Sequence, residues 1–535
     1  MISKNMPHLE AAGDSKKLIV DGRPFVMIAG EVHNSASSSS AYMEKLWEQA
    51  KALELNSLIL PVTWEMTEPK EGKFDFSVPD ALIRQARAHG MKIQFLWFGA
   101  WKNAQCFYAP AWVKRDTGRF LRAELQKGEK AVRNAYGMEY STLSAFCEET
   151  LRADAAAFAA LMAHLKEVDG EAHTVILVQV ENETGLLERA REHSDEADRR
   201  FAEPVPAAFR TFLVDHPSLL SPELAKAFAA DAADGADWTA VFGEMAEEVF
   251  TAYYTASYVE QVARAGKEVY PLPMTANCWL DRGQKPGMYP TGGPIAKTAA
   301  VWRFGAPDID ILAPDIYIPD FAGVCREYAK NGNPLCIAEC ALHAYAGLRE
   351  IYTIGRHHAI CYSPFGIEDI GKPFTAVQGA LFGMDTTDEA LKTPQDPEEY
   401  RKINHLLQGL LPLVTEKYGT RDLVGAISEV PKENSFVFGP YRFTAAFGTP
   451  ILRRKNGACL LVQKEEGDFY CLAVGCALVL SSADETRPHS EYLLAEEGEF
   501  AGGSWQPGIR CNGDEVQIMS FEEPTLLHLV PHVYG

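Results

Sequence analysis

Residues 174–183 read Thr174-Val175-Ile176-Leu177-Val178-Gln179-Val180-Glu181-Asn182-Glu183, an apolar, β-branched run that breaks abruptly into three polar side chains. The run does not alternate, so it predicts a strand covered on both faces, as the strands of parallel sheets are. Working outward, the same texture recurs at residues 24–30, 57–60, 92–97, 269–275, 309–313, 334–337 and 358–362. Helical faces separate these runs. Met43, Leu46, Trp47, Ala50 and Leu53 form one between the first two, and Leu151, Ala155, Phe158, Met162 and Leu165 form another between the third and fourth. Eight strands alternating with helices over about 370 residues predict an α/β fold, a (β/α)8 TIM barrel with insertions. A doubly wound open sheet is the rival, but no Gly-rich phosphate fingerprint follows the first strand.

Two segments exceed simple barrel loops. Residues 98–120 are rich in Trp, Tyr and Pro, and residues 186–248 carry helical patterning broken at Pro204 and Pro206. Both follow strands, where a barrel builds its site. After Phe374 the texture changes. Asp396-Pro397-Glu398-Glu399 reads as an N-cap with Pro at the first helical position, leading into a Leu-rich helix. Beyond Leu423 strand and turn patterns dominate, with a hairpin expected around Glu465-Glu466-Gly467-Asp468. The expected division is a catalytic barrel over 1–375, a helical connector over 376–422 and a C-terminal all-β, sandwich-like domain over 423–535.

The chain has 535 residues, 51 Lys plus Arg against 73 Asp plus Glu, and a formal net charge of −22. That charge repels phosphate backbones and anionic lipid, which argues against nucleic acid and membrane partners. Residues 1–23 lack the apolar stretch of a secretory signal. The 11 cysteines, an odd number, fit free buried thiols better than a disulfide framework. The expectation is a soluble, cytoplasmic protein. Assembly into a homo-oligomer stays open.

The strongest chemical signal is the Glu181-Asn182-Glu183 ending. A second apolar run, Pro334-Leu335-Cys336-Ile337-Ala338-Glu339, ends in a carboxylate three strands later. In a barrel the ends of strands four and seven face each other across the mouth, so Glu183 and Glu339 are candidates for one pocket. Two carboxyl groups about 5 to 5.5 Å apart can carry out retaining glycoside hydrolysis, one as nucleophile and the other as acid and then base. Large aromatics cluster after the same strands: Trp64, Trp97, Trp101, Trp279 and Tyr317. They suit the C–H faces of sugars. Glu31, Glu68, Lys102, Asn103, Asn277 and Asp315 offer polar partners for hydroxyls.

These residues resemble the retaining glycoside hydrolases of the large barrel clan, and within it family 35, the β-galactosidases. Asn182-Glu183 is similar to the clan's Asn-Glu motif, which implies Glu183 as acid/base and Asn182 as a partner of the sugar 2-hydroxyl. Glu339 matches the nucleophile position. Family 35 is also resembled at Gly30-Glu31-Val32-His33, at Trp64 through Glu68-Pro69, and at Gly72-Lys73-Phe74-Asp75-Phe76. Leu96-Trp97-Phe98-Gly99-Ala100-Trp101-Lys102-Asn103 is similar to a subgroup with a small C-terminal β-domain. The resemblance covers roughly residues 15–370 and implies an exo-acting β-galactosidase working on oligosaccharides by double displacement, with no metal or organic cofactor. The chain departs from the family pattern at Pro61, Glu65, Thr67, Thr184 and Cys340. A β-glucosidase or β-glucosyl transglycosylase using the same two Glu residues is the alternative, and a non-catalytic sugar-binding barrel is the rival of another class.

Other signals read as structure. His357 and His358 are adjacent and face different ways, Cys336 and Cys340 lack a second pair at zinc spacing, Cys471 and Cys476 read as core thiols, and Ser37 to Ser40 lack a nucleophile turn.

Overall fold

The computed structural model describes residues 5–133, 137–381, 392–511, 513–517 and 519–535. Eight parallel strands close into one barrel: β1 (Met27–Glu31), β2 (Ser57–Thr63), β3 (Lys92–Phe98), β4 (Val175–Val180), β5 (Met274–Trp279), β6 (Ile311–Ile316), β7 (Cys336–Cys340) and β8 (Cys361–Pro364). The expected barrel is therefore present, in sequential strand order. Every residue of β2 and β4 is buried, as their unbroken apolar runs require.

The later strands begin two to five residues after the apolar runs do. Val269 is the last residue of helix α4 (Ala246–Val269), so β5 starts only at Met274. His358 caps helix α5 (Ala346–His357) in a left-handed conformation with φ 53°, and β8 starts at Cys361. At the other end the strands continue into polar residues, because these find partners inside the barrel. Asn277 of β5 donates to Asp315 of β6 at 2.7 Å, so neither end has to fray into water.

The chain divides into two compact units. The first comprises residues up to 8, 32–47 and 57–316; the second comprises 9–31, 48–56 and 317–535. The first holds β2 to β6 with helices α2 (Ser77–His89), α3 (Glu148–Asp169) and α4. Its long insertion folds into short helices around Val205, Phe209, Leu213, Leu224, Trp238 and Phe242, packed on Val249 and Phe250 of α4. The Pro204–Pro206 break falls between helices Asp195–Phe201 and Ala207–Asp215, where it was expected.

The second unit holds β1, β7, β8, α5 and helix α6 (Pro397–Glu416). Asp396 caps α6, accepting from the backbone N–H of Glu398 at 2.8 Å, with Pro397 at the first position. Of the expected connector, residues 382–391 lie outside the described residues. The C-terminal strands form a six-stranded and a four-stranded antiparallel sheet. Strands Ala458–Glu465 and Asp468–Val474 make the expected hairpin. Phe436, Phe438 and Phe443 from the smaller sheet share one core with Leu461, Phe469, Cys471 and Leu527 from the larger, which is the packing of a sandwich.

Candidate active site

The corner after β4 is built with unusual backbone. Glu181 and Glu183 have φ of 61° and 44°, left-handed values that cost residues with a Cβ about 1 kcal/mol or more each. The surroundings hold this corner. The Glu183 N–H donates to Asn277 Oδ1 at 2.9 Å, and the Ala104 N–H donates to the Glu183 carbonyl at 2.9 Å. Asn277 is fixed in turn by its bond to Asp315. Beyond the corner Leu186 and Thr291 exchange backbone bonds at 2.9 and 2.8 Å. Gly185, at φ 123°, is required there, because a Cβ would stand 2.2 Å from the Thr291 carbonyl oxygen.

Beneath the corner lies a buried acid pair. Glu181 Oε2 accepts from the Trp101 N–H at 2.7 Å, and the Glu181 carboxyl also hydrogen-bonds Asp154 of α3. Asp154 accepts from Trp97 Nε1 at 2.9 Å and from the Tyr258 hydroxyl at 3.0 Å. Burial and the facing Asp154 carboxylate hold the Glu181 carboxyl well above the usual range, so it keeps its proton and donates it to Asp154. Gly99 makes room for the pair: a Cβ there would stand 2.4 Å from Glu181 Oε1 and 2.6 Å from Asp154 Oδ1. Between the two left-handed residues Asn182 is 1 % exposed, and neither its amide nitrogen nor its amide oxygen has a hydrogen-bond partner.

In the second unit Glu339 occupies the penultimate position of β7. The Tyr317 hydroxyl donates to its Oε1, while Oε2 is buried with no hydrogen-bond partner. Tyr317 is held by Ala341 and Phe365. One carboxylate oxygen is thus pinned, and the other is buried and accepts no hydrogen bond.

Residues 17–234 match Glycosyl hydrolases family 35. Over those residues the chain is similar to that family. Residues 400–522 match a domain of unknown function, DUF5597. Among curated proteins, a beta-galactosidase of Xanthomonas manihotis is 30% identical over 80 residues, 14% of this chain and 13% of that one. Beta-galactosidase 11 of Arabidopsis thaliana is 26% identical over 186 residues, 34% of this chain and 20% of its own length. The aligned stretches thus span a fifth or less of these relatives. Among solved structures, a family 42 beta-galactosidase from G. stearothermophilus is 11% identical with a TM-score of 0.47, covering 94% of this chain and 98% of that one. A beta-galactosidase from the psychrophilic Marinomonas ef1 is 13% identical with a TM-score of 0.46, covering 73% and 60%.

The other residues that resemble family 35 motifs have definite places. Glu31 ends β1 and is buried. Trp64 Nε1 donates to Glu68 Oε2 at 2.8 Å, and Glu68 Oε1 accepts from the Gly72 N–H at 2.7 Å, so this pair braces its own loop. Trp97 turns its indole nitrogen to Asp154 of α3. Trp101 sets its ring edge-on to Tyr258 at 4.6 Å. Lys102 Nζ lies 5.0 Å over the Phe98 ring, and Asn103 takes a left-handed φ of 52°. The sequence reading passed over Asp154 and Glu181 as site residues. Asp154 carried a signal: it sits three residues after Leu151 and four before Phe158, a charge on the face that otherwise reads as apolar.

Proposed function

We propose that this chain is a retaining exo-β-glycosidase, foremost a β-galactosidase, that releases terminal units of oligosaccharides. Glu339 is the nucleophile and Glu183 the acid/base. The observation that carries the reading is the state of Glu339: one oxygen is held by the Tyr317 hydroxyl and the other is buried without a partner. A carboxylate oxygen desolvated in this way is poised to attack an anomeric carbon. Glu183 would protonate the leaving oxygen, then take the proton of the incoming water. The unpartnered amide of Asn182 supports its role as a partner of the sugar 2-hydroxyl.

The test is a panel of nitrophenyl glycosides. Preference for the β-galactoside supports the reading; preference for the β-glucoside keeps the mechanism and transfers the substrate to the alternative reading. Glu339→Gln should lower kcat by roughly three orders of magnitude or more, and a fluorinated sugar should label Glu339 in the native enzyme. Glu183→Gln should spare activated aryl glycosides far more than alkyl glycosides. Full activity in both variants would overturn the assignment. We place the enzyme in the cytoplasm, a reading supported by 11 buried cysteines, none of them in a disulfide.

A further inference from the structure

The C-terminal sandwich meets α5 differently at the helix's two ends. Near the C-terminal end the contact is close packing: a Cβ on Gly355 would stand 2.9 Å from the Val424 carbonyl oxygen, in strand Leu423–Ile427. Near the N-terminal end it is polar and buried. There it converges on the loop 341–345, which links Glu339 and β7 to α5.

Glu429 of the sandwich takes Arg349 of α5 in a two-pronged pair, with Nε at 3.0 Å and Nη2 at 2.7 Å. The third nitrogen, Arg349 Nη1, donates to His343 Nε2 at 2.9 Å. The guanidinium also lies 4.4 Å from the centre of the Phe321 ring. His343 is buried, and burial together with the Arg349 charge holds its pKa well below the ordinary imidazole value, so it stays a neutral acceptor. Next to it, Asn456 Nδ2 donates to the Tyr345 hydroxyl at 2.5 Å, and the Ala344 N–H donates to the Thr393 carbonyl at 2.9 Å. Glu429 and Asn456 stand on two turns that are joined: the Ser428 N–H donates to the Gly457 carbonyl at 2.9 Å, and the Gly457 N–H to Ser428 Oγ at 3.1 Å. The sandwich thus grips the loop from one connected platform. A buried guanidinium–carboxylate pair is a poor source of stability, because both groups give up hydration, but its two parallel bonds fix geometry well. What is fixed here leads back to Glu339. Ala341, two residues before His343, packs with Phe365 on Tyr317, whose hydroxyl holds Glu339 Oε1.

We propose that the C-terminal β-domain positions the nucleophile. Glu429, acting through Arg349 and His343, and Asn456, acting through Tyr345, are positioning residues that hold the loop 341–345 and with it the Tyr317 ring behind Glu339. The proposal rests on the glycosidase reading and gives the C-terminal domain its part in the reaction.

Glu433 supplies the control. It follows Glu429 in the same turn and pairs with Arg356 of α5 at 3.1 Å, at the end of the helix away from the loop. Glu429→Gln, Asn456→Ala and Glu433→Gln are compared in the full chain on an aryl β-glycoside, well below the lowest melting temperature of the set. The expected kcat falls roughly tenfold for Glu429→Gln and roughly threefold for Asn456→Ala, with KM within about twofold of native. Labelling of Glu339 by a fluorinated glycoside should slow in step, and Glu433→Gln should keep the native kcat. Tyr345→Phe removes the same bond as Asn456→Ala from its other side and should match it. Native kcat in folded Glu429→Gln and Asn456→Ala, or an equal loss in Glu433→Gln, overturns the proposal. If Glu429→Gln does not fold, Asn456→Ala and Tyr345→Phe decide alone. If the native protein hydrolyses no glycoside, the glycosidase reading fails by itself, and amide hydrogen exchange tests the grip on the loop. Faster exchange over residues 340–346 in Glu429→Gln and Asn456→Ala, absent in Glu433→Gln, sustains it. Unchanged exchange there, or a rise spread over the whole unit, overturns it.

Discussion

Glu181 shows how a buried carboxyl can brace the corner after β4. Its carboxyl keeps its proton because it is buried against Asp154, and it spends its two oxygens on the Trp101 N–H and on Asp154. A Gln side chain offers the same acceptor and a donor in the same place. Glu181→Gln should therefore fold with a stability within about 1 kcal/mol of the native protein. Glu181→Ala leaves the Trp101 N–H and a buried Asp154 short of partners and should cost about 3 kcal/mol. Urea denaturation of the two variants checks this. Equal damage from both would mean that the carboxyl is ionised and that the proton was wrongly placed. Tyr317 makes a complementary case. Tyr317→Phe removes the hydroxyl that pins Glu339 Oε1, and, with Glu339 as the proposed nucleophile, kcat for an aryl β-glycoside should fall roughly 10- to 100-fold with KM less affected, since orientation of a nucleophile matters most in the transition state.

The corner after β4 carries Asn182 and Glu183 of the proposed site, and its strain is local. Two left-handed non-glycine residues persist because Asn277, Ala104 and the Leu186–Thr291 bridge fix the chain on both sides. Gly185→Ala would drive a Cβ into the Thr291 carbonyl and should destabilise the protein by about 2 to 4 kcal/mol, read as a lowered melting temperature with a matching loss of activity. Gly283→Ala is the control. It also has positive φ, at 70°, but nothing lies within 4 Å of an added Cβ, so its cost should stay near 1 kcal/mol. At this scale the sequence is legible where physics is one-dimensional. Continuous apolar runs identified all eight barrel strands, and Asp396-Pro397 announced a helix start that the structure shows. The strand limits were less legible, because a run such as 269–275 mixes the end of α4 with the start of β5, and only hydrogen bonding separates them. The left-handed corner was invisible. Glu and Asn at its positions are compatible with an ordinary turn, and the conformation comes from partners almost a hundred residues away.

Across the whole molecule the acid–base balance has a direction that no single motif reveals. Glu192 is buried, with Ser144 Oγ donating to its two oxygens at 2.9 and 2.8 Å, and burial pushes its carboxyl up to about 7. Glu181, Asp154 and Glu350 are raised for the same reason, Glu350 inside the second unit beside the Tyr400 hydroxyl. In the unfolded chain these groups release their protons near pH 4 to 4.5. Between that range and pH 7 the native state binds more protons than the unfolded state, so stability falls as pH rises through the window. Glu192 alone accounts for about 3 kcal/mol of this change, complete once the pH exceeds its folded value near 7. The melting temperature should thus be higher at pH 5.5 than at pH 8 in spite of the chain's strong net negative charge. Glu192→Gln keeps the bond with Ser144 and cannot ionise, so it should flatten the slope between pH 5 and 7 and gain stability relative to the native protein at pH 8. A melting temperature that instead climbs steadily from pH 5 to pH 8, unchanged in the variant, would show that these buried acids are ionised in the fold and that exposed, ion-paired carboxylates govern its stability.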